Sequence, residues 1–377
     1  MIVLAESEGP SGLHSCIRAV EAKLAGFGKG PIYAATSRDD AASAPAQLAG
    51  FPFPRDAMVL LRTSGSTTGT GRLVVLTDTQ LRASATASSA VIGGPGRWVT
   101  CLPITHIAGF QTVYRSVLAG KEPIYAGSGR PAELRAAVAR LDADELAFLS
   151  LVPTQLIRLL NMGEAAPLRR FHAVLVGGAA CPPEALRKAR AAGVRVVTTY
   201  GMTETCGGCV YDGQPIGDTR IETDLAGRIT IAGSVVGTGY AGAEPFYGRF
   251  VTNDAGELDA NGRLRILGRL DNAITTGALT ISPSLTEAEL QHLAAGECAV
   301  VGVPDPQWGE IVIAVTTEPL IEDETKLHIR QKLNREHAPR RIFSLEALGL
   351  DDFPRLNSGK IDRRALSALL EEKGIGY

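Results

Sequence analysis

The residues whose types and spacing best suit chemistry lie in one run, Arg62-Thr63-Ser64-Gly65-Ser66-Thr67-Thr68-Gly69-Thr70-Gly71-Arg72. An apolar stretch precedes it and another follows. Its glycines let the backbone approach a ligand closely. Its hydroxyls and backbone N–H groups can wrap phosphate oxygens, and Arg72 adds a fixed positive charge. The spacing is not that of a P-loop, because no Gly-Lys-Ser/Thr follows the first glycine at the required distance. Taken alone, the run also reads as a flexible Gly/Ser/Thr surface loop.

Two other patterns carry less. Gly237-Thr238-Gly239-Tyr240-Ala241-Gly242 has dinucleotide-fingerprint spacing, but Pro245 and Gly248 follow where a helix is required, so a Rossmann site is not expected. Cys206-Gly207-Gly208-Cys209 is a CxxC with no second ligand pair spaced to complete a metal site. Small residues lining a pocket are the plainer reading of it.

The elements that must hold these segments are legible from periodicity. Short apolar runs at Ala57–Leu61, Leu73–Leu76, Trp98–Leu102, Leu146–Leu149, Ala173–Val176 and Val194–Val197 read as strands. Alanine-rich stretches at Leu81–Val91, Glu133–Arg140 and Pro183–Ala192 read as helices between them. Strands alternating with helices predict a large layered α/β domain with much parallel sheet. From about Gly213 to Gly262, glycines and turn signals cluster, as in a small β-rich subdomain. The remainder reads as a compact α+β unit. Helices are expected at Ser284–Ala294 and Asp323–Asn334, and strands near Cys298–Val303 and Ile311–Thr317. A domain boundary at about Asp271 divides 1–270 from 271–377.

The balance of 38 Lys plus Arg against 40 Asp plus Glu leaves a net charge of -2, so no basic excess points to nucleic acid. Aromatics at 5% also disfavour a base-stacking surface. The start turns acidic at Glu6 before a signal-peptide core could form, and no apolar stretch approaches the ~20 residues of a membrane span. Six cysteines in 377 residues do not make a disulfide framework. A cytoplasmic enzyme acting on a small molecule is the expectation, with the oligomeric state open.

Further segments give the phosphate-loop reading its context. Leu102-Pro103-Ile104-Thr105-His106 resembles the Leu-Pro-x-x-His segment of the adenylate-forming superfamily, the AMP-forming acyl-CoA synthetases and their relatives. Val152-Pro153-Thr154 resembles its Val-Pro-Thr helix start, and Gly177-Gly178-Ala179-Ala180 its adenine-pocket segment. Tyr200-Gly201-Met202-Thr203-Glu204-Thr205 matches its Tyr-Gly-x-Thr-Glu motif. Thr252-Asn253-Asp254 is similar to its Thr-Gly-Asp, and Gly268-Arg269-Leu270-Asp271 to its Gly-Arg-x-Asp hinge. Asn357-Ser358-Gly359-Lys360-Ile361-Asp362-Arg363 resembles its terminal Gly-Lys motif. The matches follow the family's order from Thr63 to Arg363, and it is their joint occurrence that is specific.

The resemblance implies a two-step reaction. ATP and a carboxylic acid give an acyl-adenylate, whose acyl group then passes to the thiol of coenzyme A. It implies that Thr63, Ser64, Gly65, Ser66, Thr67, Thr68, Gly69 and Arg72 hold phosphates. Gly178, Ala179, Ala180, Tyr200, Gly201, Met202 and Thr203 would line the nucleotide site, and Glu204 would ligate Mg²⁺. Asp254 would accept the ribose hydroxyls, supported by Arg269. Lys360 would bridge the incoming carboxylate and the nucleotide. Asp271 would be the hinge of a mobile small domain, with Gly277 and Ala278 along a pantetheine tunnel. His106, Thr154 and Thr205 would face the acid. The sequence departs from the family pattern where Arg72 replaces the common Lys, Gly71 replaces a Pro, and the loop is one residue longer. The forked guanidinium keeps the charge but changes its shape.

A narrower resemblance is to the o-succinylbenzoate–CoA ligases of menaquinone biosynthesis. It rests on the short N-terminal region, on Ser150–Leu156 and on Thr205–Gly213. The second carboxylate of such an acid needs a donor, for which His106, Arg115 and Thr205 are candidates. Ligases for another aryl or short acyl acid, and enzymes that load a carrier protein, share the same motifs. A non-catalytic nucleotide-binding relative is expected to lack Lys360 or Glu204, and both are present.

Overall fold

The computed structural model describes residues 1–4, 9–63, 71–277, 279–294, 296–355 and 361–375. They form two compact units. One is Met1–Glu222 with Thr230–Val251 and Asp259–Leu264; the other is Thr223–Ile229 with Thr252–Leu258 and Arg265–Tyr377.

The first unit is built on two sheets. The larger has seven strands, in the spatial order Gln214–Pro215, Gly207–Tyr211, Val196–Met202, Ala173–Gly177, Ala147–Leu151, Arg97–Thr100, Ile124–Tyr125. The five from Val196–Met202 to Ile124–Tyr125 are mutually parallel. Their β-branched and leucine residues are buried on both faces, as a helix-covered parallel sheet requires. Val174 and Val176 enter one apolar cluster, while Ala173 and Leu175 enter another on the opposite face. Burying each such side chain contributes about 1.5–3 kcal/mol.

The smaller sheet runs Ile2–Leu4, Ile32–Ala34, Ala57–Arg62, Leu73–Thr77, Gly239–Tyr240. It departs from the parallel pattern that periodicity suggests, because Ala57–Arg62 and Leu73–Thr77 pair antiparallel. A parallel crossover needs a dozen or more residues, and the intervening segment is shorter. Gly239–Tyr240, inside the apparent dinucleotide fingerprint, forms an edge strand antiparallel to Val74 and Val75.

Local chemistry sets the helices. Thr77 caps Asp78–Ile92, accepting the Gln80 N–H at 3.2 Å while Gln80 Oε1 accepts the Thr77 N–H at 2.9 Å. Gly93, with φ 113°, ends that helix. Two further helices are Gly9–Leu24, which buries Leu13, Cys16, Ile17 and Val20 on one face, and Ile107–Leu118, which is buried nearly all round and so marks no single face.

In the second unit, Cys298–Asp305 and Gly309–Thr316 form a long antiparallel hairpin. Asp305 Oδ1 closes its turn by accepting the Gln307 and Trp308 N–H groups, each at 2.9 Å. Apolar clusters lie on both faces of the hairpin, one including Leu366 and Leu370, the other Leu290 and Ile329. These residues come from the helices Arg363–Glu372, Pro283–Leu293 and Glu322–Lys332. Among the described residues no helix is long and apolar enough to cross a membrane.

Candidate active site

Four of the motif segments leave the large sheet at the same end. Thr203 and Glu204 follow the strand Val196–Met202, and Gly178–Ala180 follow Ala173–Gly177. Thr154 follows Ala147–Leu151 after Val152 and Pro153, and Leu102–His106 follow Arg97–Thr100. These strands are neighbours and parallel, so segments more than 90 residues apart in sequence gather at the carboxyl edge of one sheet. That edge is where open α/β sheets take ligands. Gln155 ties two of the segments: its Oε1 accepts the Val152 N–H at 3.0 Å, and its Nε2 donates to the Ser128 and Cys101 carbonyls at 3.0 and 3.5 Å. Gly178, Ala179, Ala180 and Thr154 are exposed, and His106 is half-buried as the cap residue of Ile107–Leu118.

Glu204 sits in a single tight turn, Thr203–Thr205, and is buried, with 8% of its surface exposed. Thr205 builds the turn: its hydroxyl accepts the Met202 N–H at 3.0 Å and donates to the Gly207 carbonyl at 2.9 Å. Cys206 follows with φ 53°, a left-handed conformation that is unfavourable for a side-chain-bearing residue. Its carbonyl is held by two side chains, Gln111 Nε2 at 2.7 Å and Ser84 Oγ at 3.1 Å. Gly201 is required here, because a Cβ at that position would lie 2.0 Å from the Gly207 carbonyl oxygen. Burial raises the Cys206 thiol well above its usual range and pushes Cys209 up to about 12, so both stay protonated and apolar near neutral pH.

The Glu204 carboxylate meets a residue that spacing did not single out. Tyr240 donates its hydroxyl hydrogen to Glu204 Oε1 at 2.6 Å and accepts from Arg72 Nη2 at 2.8 Å. The Arg72 guanidinium carbon also lies 3.6 Å from the centre of the Tyr240 ring. Burial, then the neighbouring Glu204 charge, raises the Tyr240 pKa, so the phenol remains protonated and able to donate. Arg72 and Glu204 are thus gathered around one hydroxyl. Tyr240 lies within the glycine run that sequence reading set aside. Its only signal was a phenol embedded in a strand-forming turn, which gives no partner.

The phosphate-type run begins and ends on a defined stem, while Ser64, Gly65, Ser66, Thr67, Thr68 and Gly69 lie outside the described residues. Thr63 N–H donates to the Arg72 carbonyl and Arg72 N–H to Thr63 Oγ1, both at 2.9 Å. Arg62 is anchored by Asp40 at 3.0 Å and by the Tyr33 hydroxyl at 3.1 Å.

Residues of the ribose and hinge motifs lie together in the second unit. Arg269 pairs with Asp254 at 3.6 Å and grips Asp271 through both Nε, at 2.7 Å, and Nη2. Burial pushes the Asp271 carboxyl up, but the Arg269 hydrogen bonds and charge more than offset it, leaving the group below the usual carboxylate range. Asp254 N–H donates to Thr252 Oγ1 at 3.0 Å, and that buried hydroxyl donates to the Ile229 carbonyl at 2.9 Å. Gly277, with φ 62°, donates its N–H to the Trp308 carbonyl at 2.7 Å. Ala278 and Lys360 lie outside the described residues. The ends of the Gly-Lys segment are pinned: Arg355 pairs with Ile361, and Asp362 N–H donates to the Pro354 carbonyl at 2.7 Å. Arg363 grips the buried Glu287, with contacts of 2.8 to 3.1 Å.

Residues 17–240 match the AMP-binding enzyme family, and residues 287–360 match the AMP-binding enzyme C-terminal domain. A probable 2-succinylbenzoate–CoA ligase of Mycobacterium tuberculosis is 38% identical over 328 residues, covering 82% of this chain and 84% of the relative. A 2-succinylbenzoate–CoA ligase of Bacillus anthracis is 30% identical over 360 residues, covering 84% of this chain and 71% of the relative. The fold matches o-succinylbenzoate CoA synthetase from Bacillus subtilis in complex with its acyl-adenylate intermediate. The TM-score is 0.74 at 24% identity, over 97% of this chain and 82% of that one.

Proposed function

The chain belongs to the AMP-binding enzyme family, and from that premise we propose that it ligates o-succinylbenzoate to coenzyme A with ATP, in menaquinone biosynthesis. The observation that carries the reading is the gathering of the Leu-Pro-x-x-His, Val-Pro-Thr, Gly-Gly-Ala-Ala and Tyr-Gly-x-Thr-Glu segments at the carboxyl edge of adjacent parallel strands. The 38% identical ligase supports the choice of acid.

In the first half-reaction a carboxylate oxygen of the acid attacks the α-phosphorus of ATP. The bond to the bridging oxygen breaks, and pyrophosphate leaves with the electron pair. In the second, the CoA thiol loses its proton to solvent and attacks the acyl carbon, and AMP departs. The barrier is mainly electrostatic, since an anion approaches a polyanion, so position and positive charge dominate. In this reading Thr63 to Gly69 and Arg72 hold the terminal phosphates. Gly178 to Ala180 and Tyr200 to Thr203 hold the adenosine and α-phosphate, Asp254 accepts the ribose hydroxyls, and Arg269 orients Asp254. Lys360 bridges the acid and the α-phosphate in the first step. Rotation of 271–377 about Asp271 then exchanges the Lys360 face for the one carrying Gly277 and Ala278.

Glu204 fits a magnesium site. Among the described residues no three His, Cys, Asp or Glu groups cluster to hold a metal, yet a single buried carboxylate suits a cation that takes its remaining ligands from phosphate and water. Bound there, Mg²⁺ supplies neutralisation of phosphate charge. His106 and Thr154 border the acid. Of the three candidates for its second carboxylate, Arg115 is the one with donor capacity to spare, although its Nη2 donates to Ser84 Oγ at 3.4 Å and its guanidinium lies over the Trp98 ring. It is buried, and among the described residues it pairs with no carboxylate and its Nε has no hydrogen-bond partner. The Thr205 hydroxyl is already committed to its turn. The reading also assigns the enzyme to the cytoplasm, where ATP and CoA are supplied.

The test is ATP- and Mg²⁺-dependent pyrophosphate release with o-succinylbenzoate against a panel of aryl and short acyl acids. Release with o-succinylbenzoate, then thioester on adding CoA, is expected. Release with a different acid alone overturns the substrate, and silence across the panel overturns the ligase. Transfer to a phosphopantetheine carrier but not to free CoA overturns the acceptor.

A further inference from the structure

We propose that Tyr240 is a positioning residue that presents Glu204 to the metal and keeps Arg72 from pairing with it directly; this rests on the reading of Glu204 as the magnesium ligand. A phenol has one hydrogen to donate and lone pairs to accept with. Here the hydrogen goes to Glu204 Oε1 at 2.6 Å, and a lone pair takes the Arg72 Nη2 hydrogen at 2.8 Å. The chain of bonds therefore runs one way, from cation through phenol to carboxylate. Only Oε1 is engaged by Tyr240, which leaves Oε2 for a cation.

Without the hydroxyl, a forked guanidinium and a carboxylate this close favour a bidentate ion pair, which would occupy both oxygens and cancel the charge intended for phosphate. The ring is itself fixed. Its edge meets Phe246 at 5.0 Å between centroids, with planes at 90°, and the Ala241 N–H donates to the Leu73 carbonyl at 2.8 Å. Tyr240 is only 9% exposed, so the spacer is held by packing on the same sheet that carries Arg72. The carbonyl of Glu204 accepts the Gly237 N–H at 2.8 Å, which ties the carboxylate-bearing turn to the segment leading into Tyr240. Hydrogen-bond partners of metal-ligating groups typically change metal affinity by about 10–100-fold when removed.

The test measures Mn²⁺ binding by electron paramagnetic resonance on the full chain with saturating α,β-methylene-ATP, and metal-free analogue binding by calorimetry. Tyr240→Phe keeps the ring under Arg72 and deletes the hydroxyl. Mn²⁺ affinity is expected to fall by about 10-fold, and metal-free analogue affinity is expected to weaken as well, because Arg72 turns from phosphate to Glu204. Tyr240→Leu, an apolar side chain able to join Phe246, should show the same loss and replaces Tyr240→Phe if that variant melts below assay temperature. On a Glu204→Gln background, Tyr240→Phe should add nothing. Unchanged Mn²⁺ affinity in either Tyr240 variant, with Glu204→Gln weakened, overturns the proposal and leaves the ligase reading standing. Full Mn²⁺ affinity in Glu204→Gln overturns the metal role of Glu204 and the proposal with it.

Discussion

Gln111 donates from Nε2 to the Cys206 carbonyl at 2.7 Å, joining the helix Ile107–Leu118 to the turn that carries Glu204. The bond spans 95 residues of sequence and holds a carbonyl next to a left-handed backbone. It makes the Glu204 turn a feature of the packed core rather than of its own sequence.

Replacing Gln111 by Leu should therefore act on activity more than on stability. Gln111 Oε1 has no hydrogen-bond partner among the described residues, so the substitution also removes a buried orphan acceptor, and the net destabilisation should be about 1 kcal/mol. Adenylation should fall by about 10-fold as the turn loosens. Urea unfolding beside pyrophosphate release checks this. A stability loss with unaltered adenylation would leave Gln111 a core residue only.

Lys360→Ala should separate the half-reactions. Loss of a preorganised cation is expected to slow adenylate formation by about 10²–10³-fold. Thioester formation from supplied acyl-adenylate should persist, because the proposed second step uses the other face of the small domain. Equal loss of both, measured in single turnovers, would count against rotation about Asp271.

Asp40 should couple the loop stem to pH. Its burial raises the carboxyl pKa, but hydrogen bonds from Tyr33, Thr36 and Arg62 lower it further, so the net shift is downward. A carboxylate depressed in the folded state stabilises above its unfolded pKa, about 3.9, and that stability fades as pH falls through the folded value. Asp40→Asn should cost about 1.5–3 kcal/mol at pH 7. The gap between variant and wild type should narrow below about pH 4, as read by denaturant unfolding at both pH values. A constant gap would mean the Asp40 charge is not what anchors Arg62.

Thiol reactivity should follow burial. Cys16, Cys101, Cys206, Cys209 and Cys298 are buried and Cys181 is half-buried. Burial pushes Cys181 up to about 11, and Cys16, Cys101 and Cys209 up to about 12. Alkylation of the native protein at pH 8, mapped by mass spectrometry, should label Cys181 first and slowly. Prompt labelling of Cys206 or Cys209 would show that the Glu204 turn opens readily.

Much of the molecule could be read before it was folded. The parallel strands announced themselves because burial on both faces demands unbroken apolar runs, as at Ala173–Gly177. The motif segments were visible because glycine, hydroxyl and carboxylate groups are local requirements of phosphate chemistry. The antiparallel pairing of Ala57–Arg62 with Leu73–Thr77 was less visible, since an apolar strand looks the same in either direction until its connection length is weighed.

What sequence alone determined is the inventory: the motif segments that make the chain a member of its family, and the order in which they occur. What only the tertiary structure decided is who meets whom. Arg72, Glu204 and Tyr240 are strangers in sequence, and Tyr240 lay inside a run that spacing marked as a false fingerprint. They meet because Tyr240 pairs across from Val74, and because the Gly237 N–H holds the carbonyl of Glu204. Strand register and long-range hydrogen bonds fix such encounters, and neither is encoded within a short window of residues.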